Sequence, residues 1–121
     1  MTHLGGSLAD ARGRMAERRA EALLAAEGWT ILARRVRTPV GEIDLIAERS
    51  GFLAFIEVKQ RRKLAEAAYA LSARQQRRLI AAAEVWLAAH PQSGAAGVRF
   101  DVILLDGLGN ARRIADAFRA E

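Results

Sequence analysis

Two stretches of this 121-residue chain carry acidic and basic side chains in an otherwise apolar setting: Gly41-Glu42-Ile43-Asp44-Leu45-Ile46-Ala47, and Phe52 to Gln60, which ends Glu57-Val58-Lys59-Gln60. If the second is a strand, period-two alternation puts Leu53, Phe55, Glu57 and Lys59 on one face and Ala54, Ile56, Val58 and Gln60 on the other. Glu57 and Lys59 then stand about 7 Å apart on the same side. The same rule puts Glu42, Asp44 and Ile46 on one face of the first. A two-residue turn at Ser50-Gly51 pairs Arg49 with Phe52, which sets Asp44 opposite Glu57 and Glu42 opposite Lys59, roughly 5 Å apart at Cβ. A four-residue loop over 48–51 would set Asp44 opposite Phe55, still on that face. A one-residue slip would separate the groups across the sheet. Two carboxylates that close repel, more so when buried. A hard divalent cation removes the conflict, and Mg²⁺ commonly takes one or two carboxylates plus substrate phosphate. Lys59 would then be a compact cation beside the attacked phosphorus and the water. The plainer alternative is a pair of ordinary ion pairs, Glu42–Lys59 and Glu57–Lys59.

The elements that must hold these groups read as follows. Residues 8–27 form a helix rich in Ala, Leu, Glu and Arg, with Ala16, Ala20, Leu23 and Leu24 as its apolar stripe and Gly28 as its stop. Residues 29–37 form a strand with Trp29, Ile31, Ala33 and Arg35 on one side, broken by Thr38-Pro39-Val40-Gly41. Residues 42–48 and 52–60 form an antiparallel hairpin. Residues 61–71 are irregular. Residues 72–90 form a second helix that buries Leu79, Ala83 and Trp86, wets Arg74, Arg77 and Arg78, and stops at Pro91. Residues 98–105 and 111–117 are two further strands. The order α-β-β-β-α-β-β predicts an α/β domain, a mixed sheet flanked by helices. One domain over 1–121, with a frayed N-terminus over about 1–10, fits the length.

Composition narrows the chemistry. The chain has no cysteine, so a disulfide scaffold, a thiolate metal site and a thiol nucleophile are excluded. Two histidines, His3 and His90, cannot build a histidine cage. Apolar residues make up 51%, so the chain is no disordered polycation. No apolar run approaches the ~18 residues of a membrane helix, and the N-terminus lacks a signal-peptide core; a cytoplasmic protein is expected. The net charge of +5 favours a polyanionic partner. An acidic island over 41–60 lies between basic flanks, as a divalent cation beside a phosphate track would require; a solvated surface with chance clustering reads the same way. Only Lys59 and Lys63 are lysines and every other basic residue is arginine, which makes a retained lysine at 59 slightly more informative.

GEIDLIA at 41–47 and FIEVKQR at 55–61 resemble the two signatures of the YraN family of small bacterial proteins. The likeness extends to Gly13-Arg14-Met15-Ala16-Glu17, Gly28-Trp29-Thr30-Ile31-Leu32, Arg78-Leu79 and Arg99-Phe100-Asp101-Val102. That family sits with the restriction-endonuclease-like nucleases, whose motif D…(D/E)-x-K corresponds here to Asp44…Glu57-Val58-Lys59. The resemblance implies that Asp44, Glu57 and the Val58 carbonyl bind Mg²⁺, for which Mn²⁺ can substitute, and that Lys59 orients or activates water. Glu17 would hold a metal-bound water or a second ion; its spacing alone also fits a solvent pair with Arg14 or Arg18. Gln75 falls where such nucleases often place a helix Lys or Gln near the active site, yet Ser72-Ala73-Arg74-Gln75 also spells a capping box. Ile43 stands where the motif often has proline, Ala16 where the family has glycine and Gln75 where it commonly has lysine.

For phosphate contacts the candidates are Arg34, Arg35, Arg37, Arg61, Arg62 and Lys63, which would give sequence-independent, salt-sensitive affinity. The aromatics are few and scattered, so no base-stacking platform is expected. The expected function is a Mg²⁺-dependent endonuclease acting on DNA, with branched or damaged structures suggested by the similar Holliday-junction resolvases. The alternatives are a nucleic-acid- or partner-binding protein that keeps such a site without turnover, and a structural domain with a surface ion-pair network. A homodimer would suit a branched substrate, though no apolar stripe demands one. No membrane partner is expected.

Overall fold

The structure, a computed structural model, describes residues 8–62 and 71–119. Its elements run α1 (Leu8–Ala26), β1 (Thr30–Thr38), β2 (Gly41–Arg49), β3 (Phe52–Gln60), α2 (Ala73–Ala89), β4 (Gly97–Leu105) and β5 (Ala111–Phe118). This is the mixed α/β order expected from the sequence. The fray expected over 1–10 and the irregular stretch over 61–71 fall largely outside the described residues.

One five-stranded sheet has the order β1-β2-β3-β4-β5. All neighbours are antiparallel except β3 and β4, which are parallel. Parallel neighbours need a crossover, and α2 supplies it. Ser50 and Gly51 have φ of 51° and 82°, the paired positive values of a type I′ turn. That turn pairs Arg49 with Phe52, so the two-residue connection is the one used.

Each sheet face has its own core. On the α1 side, Ala16, Ala20 and Leu24 pack on Leu45, Ala47, Ala54, Ile56, Ile103 and Leu105. On the α2 side, Leu79, Ala82, Ala83 and Trp86 pack on Ile43, Ile46, Leu53, Phe55 and Phe100. Both helix stripes are the expected ones, with Leu23 only partly buried. Burial of each large apolar side chain contributes about 1.5–3 kcal/mol, and β3, buried on both faces, anchors both layers.

Strict alternation fails on β1 and β2, and the β4–β5 register also shifts between Phe100 and Val102. On β1 the register shifts between Ile31 and Ala33, so Ile31 packs on the α1 side and Ala33 on the α2 side. Arg35 then adopts φ 48°, and Arg34 and Arg35 both turn to α1, where they meet Glu21 and Glu17. The single face expected for Trp29, Ile31, Ala33 and Arg35 is therefore broken. On β2, Ile43 and Ile46 both join the α2-side core, with Leu45 on the α1 side between them. The common face expected for Glu42, Asp44 and Ile46 is lost at this irregular step. Arg35 and Asp44 lie between the same two cross-strand pairs, Arg34 with Leu45 and Val36 with Ile43, so the steps at Arg35 and Asp44 form one kink shared by adjacent strands, apart from the shift at Ile31 and Ala33. A bulged or left-handed residue spoils the period-two rule locally and re-aims a side chain.

Candidate active site

The β2–β3 ladder runs from Arg49 with Phe52 to Leu45 with Ile56 and ends there. The β3–β4 ladder continues to Gln60 with Leu105. From Glu57 onward β3 therefore has β4 on one side and a seam on the other. Asp44 fills that seam: its Oδ2 accepts the Val58 N–H at 2.8 Å. A strand N–H lies in the plane of the sheet, so the carboxylate that accepts it lies there too. The N–H and C=O of one strand residue point to the same edge. The Val58 carbonyl accordingly faces the seam as well.

Asp44 is thus not simply opposite Glu57 on one face. It occupies the gap, where charges from both layers reach it. Its pKa is pushed up to about 7, first by burial and next by the charge of Glu57, with Glu17 adding a smaller push. The Val58 N–H and the Lys59 ammonium oppose this without cancelling it. Glu57 and Lys59, continuing the face of Leu53 and Phe55, pair at 3.2 Å with about a fifth of each side chain exposed. Glu42 does not reach across to Lys59, as simple continuation of the register predicts. With the ladder ended, its contact is Arg37 on β1, at 3.7 Å.

Glu17 points over the sheet from α1. Its Oε2 accepts from Arg35 Nε at 2.8 Å, so its partner is neither Arg14 nor Arg18. Arg34 donates to Glu21 at 2.9 Å. Those hydrogen bonds hold both guanidiniums more firmly protonated. The four residues, with Arg14 and Arg18, line a groove of about 440 Å³ along α1 and β1. Arg37 is widely exposed. Arg61 and Arg62 line a second cleft of about 520 Å³ with Arg19 and Asp106. Lys63 lies outside the described residues. Gln75 completes the capping box at the start of α2: its Oε1 accepts the Ser72 N–H at 2.9 Å and its own N–H donates to Ser72 Oγ at 3.1 Å. In this arrangement its side chain serves the helix.

The donor set suits a hard cation. Asp44 keeps Oδ1 outside its hydrogen bond, Glu57 is near, and the Val58 carbonyl faces the same opening. Among the described residues no three acidic or histidine side chains converge into a ready cage, so the protein offers a partial shell that water or phosphate oxygens would complete, the habit of Mg²⁺.

Sequence reasoning did not find a second polar cluster, on the α1 side of the hairpin's closed end. Asp101 is 0% exposed, bonds Arg99 at 2.7 Å and accepts the Asp116 N–H at 2.7 Å. Arg49, Arg99 and Arg113 surround Trp29. The available signals were an aspartate one residue into the apolar run from Phe100 to Leu105 and the family likeness over Gly28-Trp29 and Arg99 to Val102.

The architecture and the seam define a small mixed α/β protein with a carboxylate–lysine cluster where two strands part. A family model described as "Uncharacterised protein family UPF0102" matches residues 16–105. The chain belongs to that family, the YraN family of the sequence resemblance. It is 56% identical over 118 residues to a UPF0102 protein of Granulibacter bethesdensis, covering 98% of this chain and 75% of that one. A UPF0102 protein of Azorhizobium caulinodans is 54% identical over 113 residues, covering 93% and 86%. One from Rhodopseudomonas palustris is 52% identical over 108 residues, covering 89% and 80%. No helix among the described residues is long and apolar enough to cross a membrane.

Proposed function

We propose that the protein is a Mg²⁺-dependent endonuclease that hydrolyses phosphodiester bonds of DNA, with branched or damaged DNA as its substrate. The observation that carries this reading is the crowded seam: a carboxyl driven to a pKa of about 7 by burial and by the charge of a second carboxylate, with Lys59 beside it. A site that resists its own ionisation has a use for a cation. Asp44 Oδ1, Glu57 and the Val58 carbonyl would hold it, and Mn²⁺ would substitute. The bound ion supplies charge stabilisation for phosphoryl transfer and a more acidic water. Lys59 places a positive charge at the non-bridging oxygens and holds the attacking water. Glu17, kept in place by Arg35, orients water on the α1 side of the seam. Gln75 joins only if the capping box opens. The two arginine-lined clefts, one holding Glu17 and the other Gln60 next to Lys59 in sequence, would take the phosphate backbone through Arg34, Arg35, Arg61 and Arg62, with Arg37 and Lys63 as further phosphate contacts. Such contacts position the duplex without reading sequence.

The test is cleavage of a panel of supercoiled, branched, nicked and single-stranded substrates with Mg²⁺ or Mn²⁺. Wild type cuts at least one of them, and Asp44→Asn and Lys59→Ala do not. A second reading, nucleic-acid binding without turnover, draws on the Glu57–Lys59 pair, in which Lys59 already neutralises Glu57. It prevails if wild type cuts nothing while binding the panel in a salt-dependent way.

A further inference from the structure

We propose a second site at the closed end of the β2–β3 hairpin, one that takes an oxyanion of the phosphate class. Arg49 beside the turn, Arg99 on β4 and Arg113 on β5 place their guanidinium carbons 5.4, 4.9 and 5.8 Å from the centre of the Trp29 ring. Three like charges gather there against two carboxylates. Arg99 pairs with Asp101 at 2.7 Å, and Arg113 with Glu27 at 3.0 Å and more distantly with Asp101. Arg49 donates to the main-chain carbonyl of Glu27, a neutral acceptor. Among these groups one positive charge is left over, met by the Glu27 carbonyl and the indole face and by no carboxylate of the cluster. Unsatisfied donors also outnumber acceptors. Trp29 is 5% exposed; its Nε1, the Arg99 Nε and the Arg113 Nη1 are buried without a hydrogen-bond partner, against one such acceptor, Glu27 Oε1. A cavity of about 200 Å³ opens among Trp29, Arg49, Ser50, Phe52 and Arg99, with the Phe52 side chain exposed at its rim. That volume holds a phosphate group and does not enclose a nucleoside with it. A tetrahedral oxyanion brings what the cluster lacks, negative charge and several acceptor oxygens, in the geometry guanidinium groups bind best.

Arg49 is five residues from Asp44 along β2, about 17 Å, so this site is separate from the seam. It needs neither a cation nor cleavage, and it stands or falls apart from the nuclease reading. Its ligand is inorganic phosphate or the terminal phosphate of a nucleic acid, and the two can be told apart. The chain has two tryptophans, so its spectrum of ¹⁵N-labelled indoles contains a probe at Trp29 and an internal control at Trp86. Titration with sodium phosphate at constant ionic strength shifts the Trp29 indole N–H saturably at millimolar concentration and leaves Trp86 in place. Arg49→Gln, at an exposed position, weakens that response at least tenfold with Trp86 unchanged. Arg99 is the wrong residue to remove, because it neutralises buried Asp101. A tighter response to a 5′-phosphorylated oligonucleotide than to its 5′-hydroxyl twin upholds the site and assigns it to chain ends. A response to inorganic phosphate with no difference between the two oligonucleotides upholds it for the small anion. A Trp29 signal unmoved by tens of millimolar phosphate, moved equally by chloride, or unaffected by Arg49→Gln overturns the proposal.

Discussion

Asp101 is wholly buried, while Asp44 keeps partial contact with solvent. By exposure alone Asp101 should be the strained carboxylate. Its surroundings reverse that expectation: Arg99 and the Asp116 N–H both lie at 2.7 Å, and Arg113 lies at 4.0 Å. Asp44 has a single main-chain donor and two carboxylates within electrostatic reach, and burial first, with the charge of Glu57 next, raises its pKa to about 7. The contrast is between two carboxylates withdrawn from water in opposite company, one matched by guanidiniums and one crowded by other carboxylates. Both sit at breaks in a ladder: Asp101 where the β4–β5 register shifts between Phe100 and Val102, its Oδ1 accepting the Asp116 N–H, and Asp44 where the β2–β3 ladder stops. What differs is the company, guanidiniums beside Asp101 and mainly carboxylates near Asp44.

Each half of that contrast can be broken. The largest expected effect is on Asp101. Asp101→Ala leaves Arg99 and Arg113 without their shared counter-charge, and denaturant unfolding should show a loss of about 3–5 kcal/mol. Asp44→Asn should leave the protein folded but lower Mg²⁺-dependent cleavage at least ~100-fold, the scale of losing a charge-stabilising group. The same substitution should raise stability, and the sign follows from proton linkage. Between the ordinary carboxyl value of 3.8 and about 7, folded Asp44 binds a proton that the unfolded chain does not. Stability therefore falls as pH rises through that window. Asp44→Asn should gain about 1–2 kcal/mol at pH 8, after discounting for solvent screening, with the gain shrinking towards pH 4. Thermal melts across pH measure this, and a loss of stability at pH 8 would show that Asp44 is structural like Asp101. By the same linkage, Mn²⁺ affinity measured by calorimetry should strengthen as pH rises to about 7 and level off above it. The smallest effect is expected at the cap. Ser72→Ala should cost about 1 kcal/mol in thermal unfolding. Any gain in cleavage with it would draw Gln75 into the seam.

The hairpin was readable from local pattern. Ser50-Gly51 marks a tight turn, and the apolar alternation on both sides keeps the two-residue and four-residue connections on the same faces, between which the structure uses the two-residue one. The helix stripes follow from a period of 3.6, and the capping box from residues three apart. Asp44, Glu57 and Lys59 were readable as neighbours because a two-residue turn converts sequence distance into cross-strand distance. Nothing in the chain near Arg35 or Asp44 announces the kink, because an irregular step in a strand has no local sequence mark here. So the move of Asp44 into the plane of the sheet, the Glu17–Arg35 contact and the Arg37–Glu42 pair came from folding alone. The Trp29 cluster lay further out of reach. It joins the end of α1 to three strands across more than eighty residues, and such contacts depend on strand order and on which face each register presents. Local periodicity can state which side chains are apolar and which share a face. Which charges meet is settled when separate elements pack, since Coulomb and desolvation energies act through space and not along the chain.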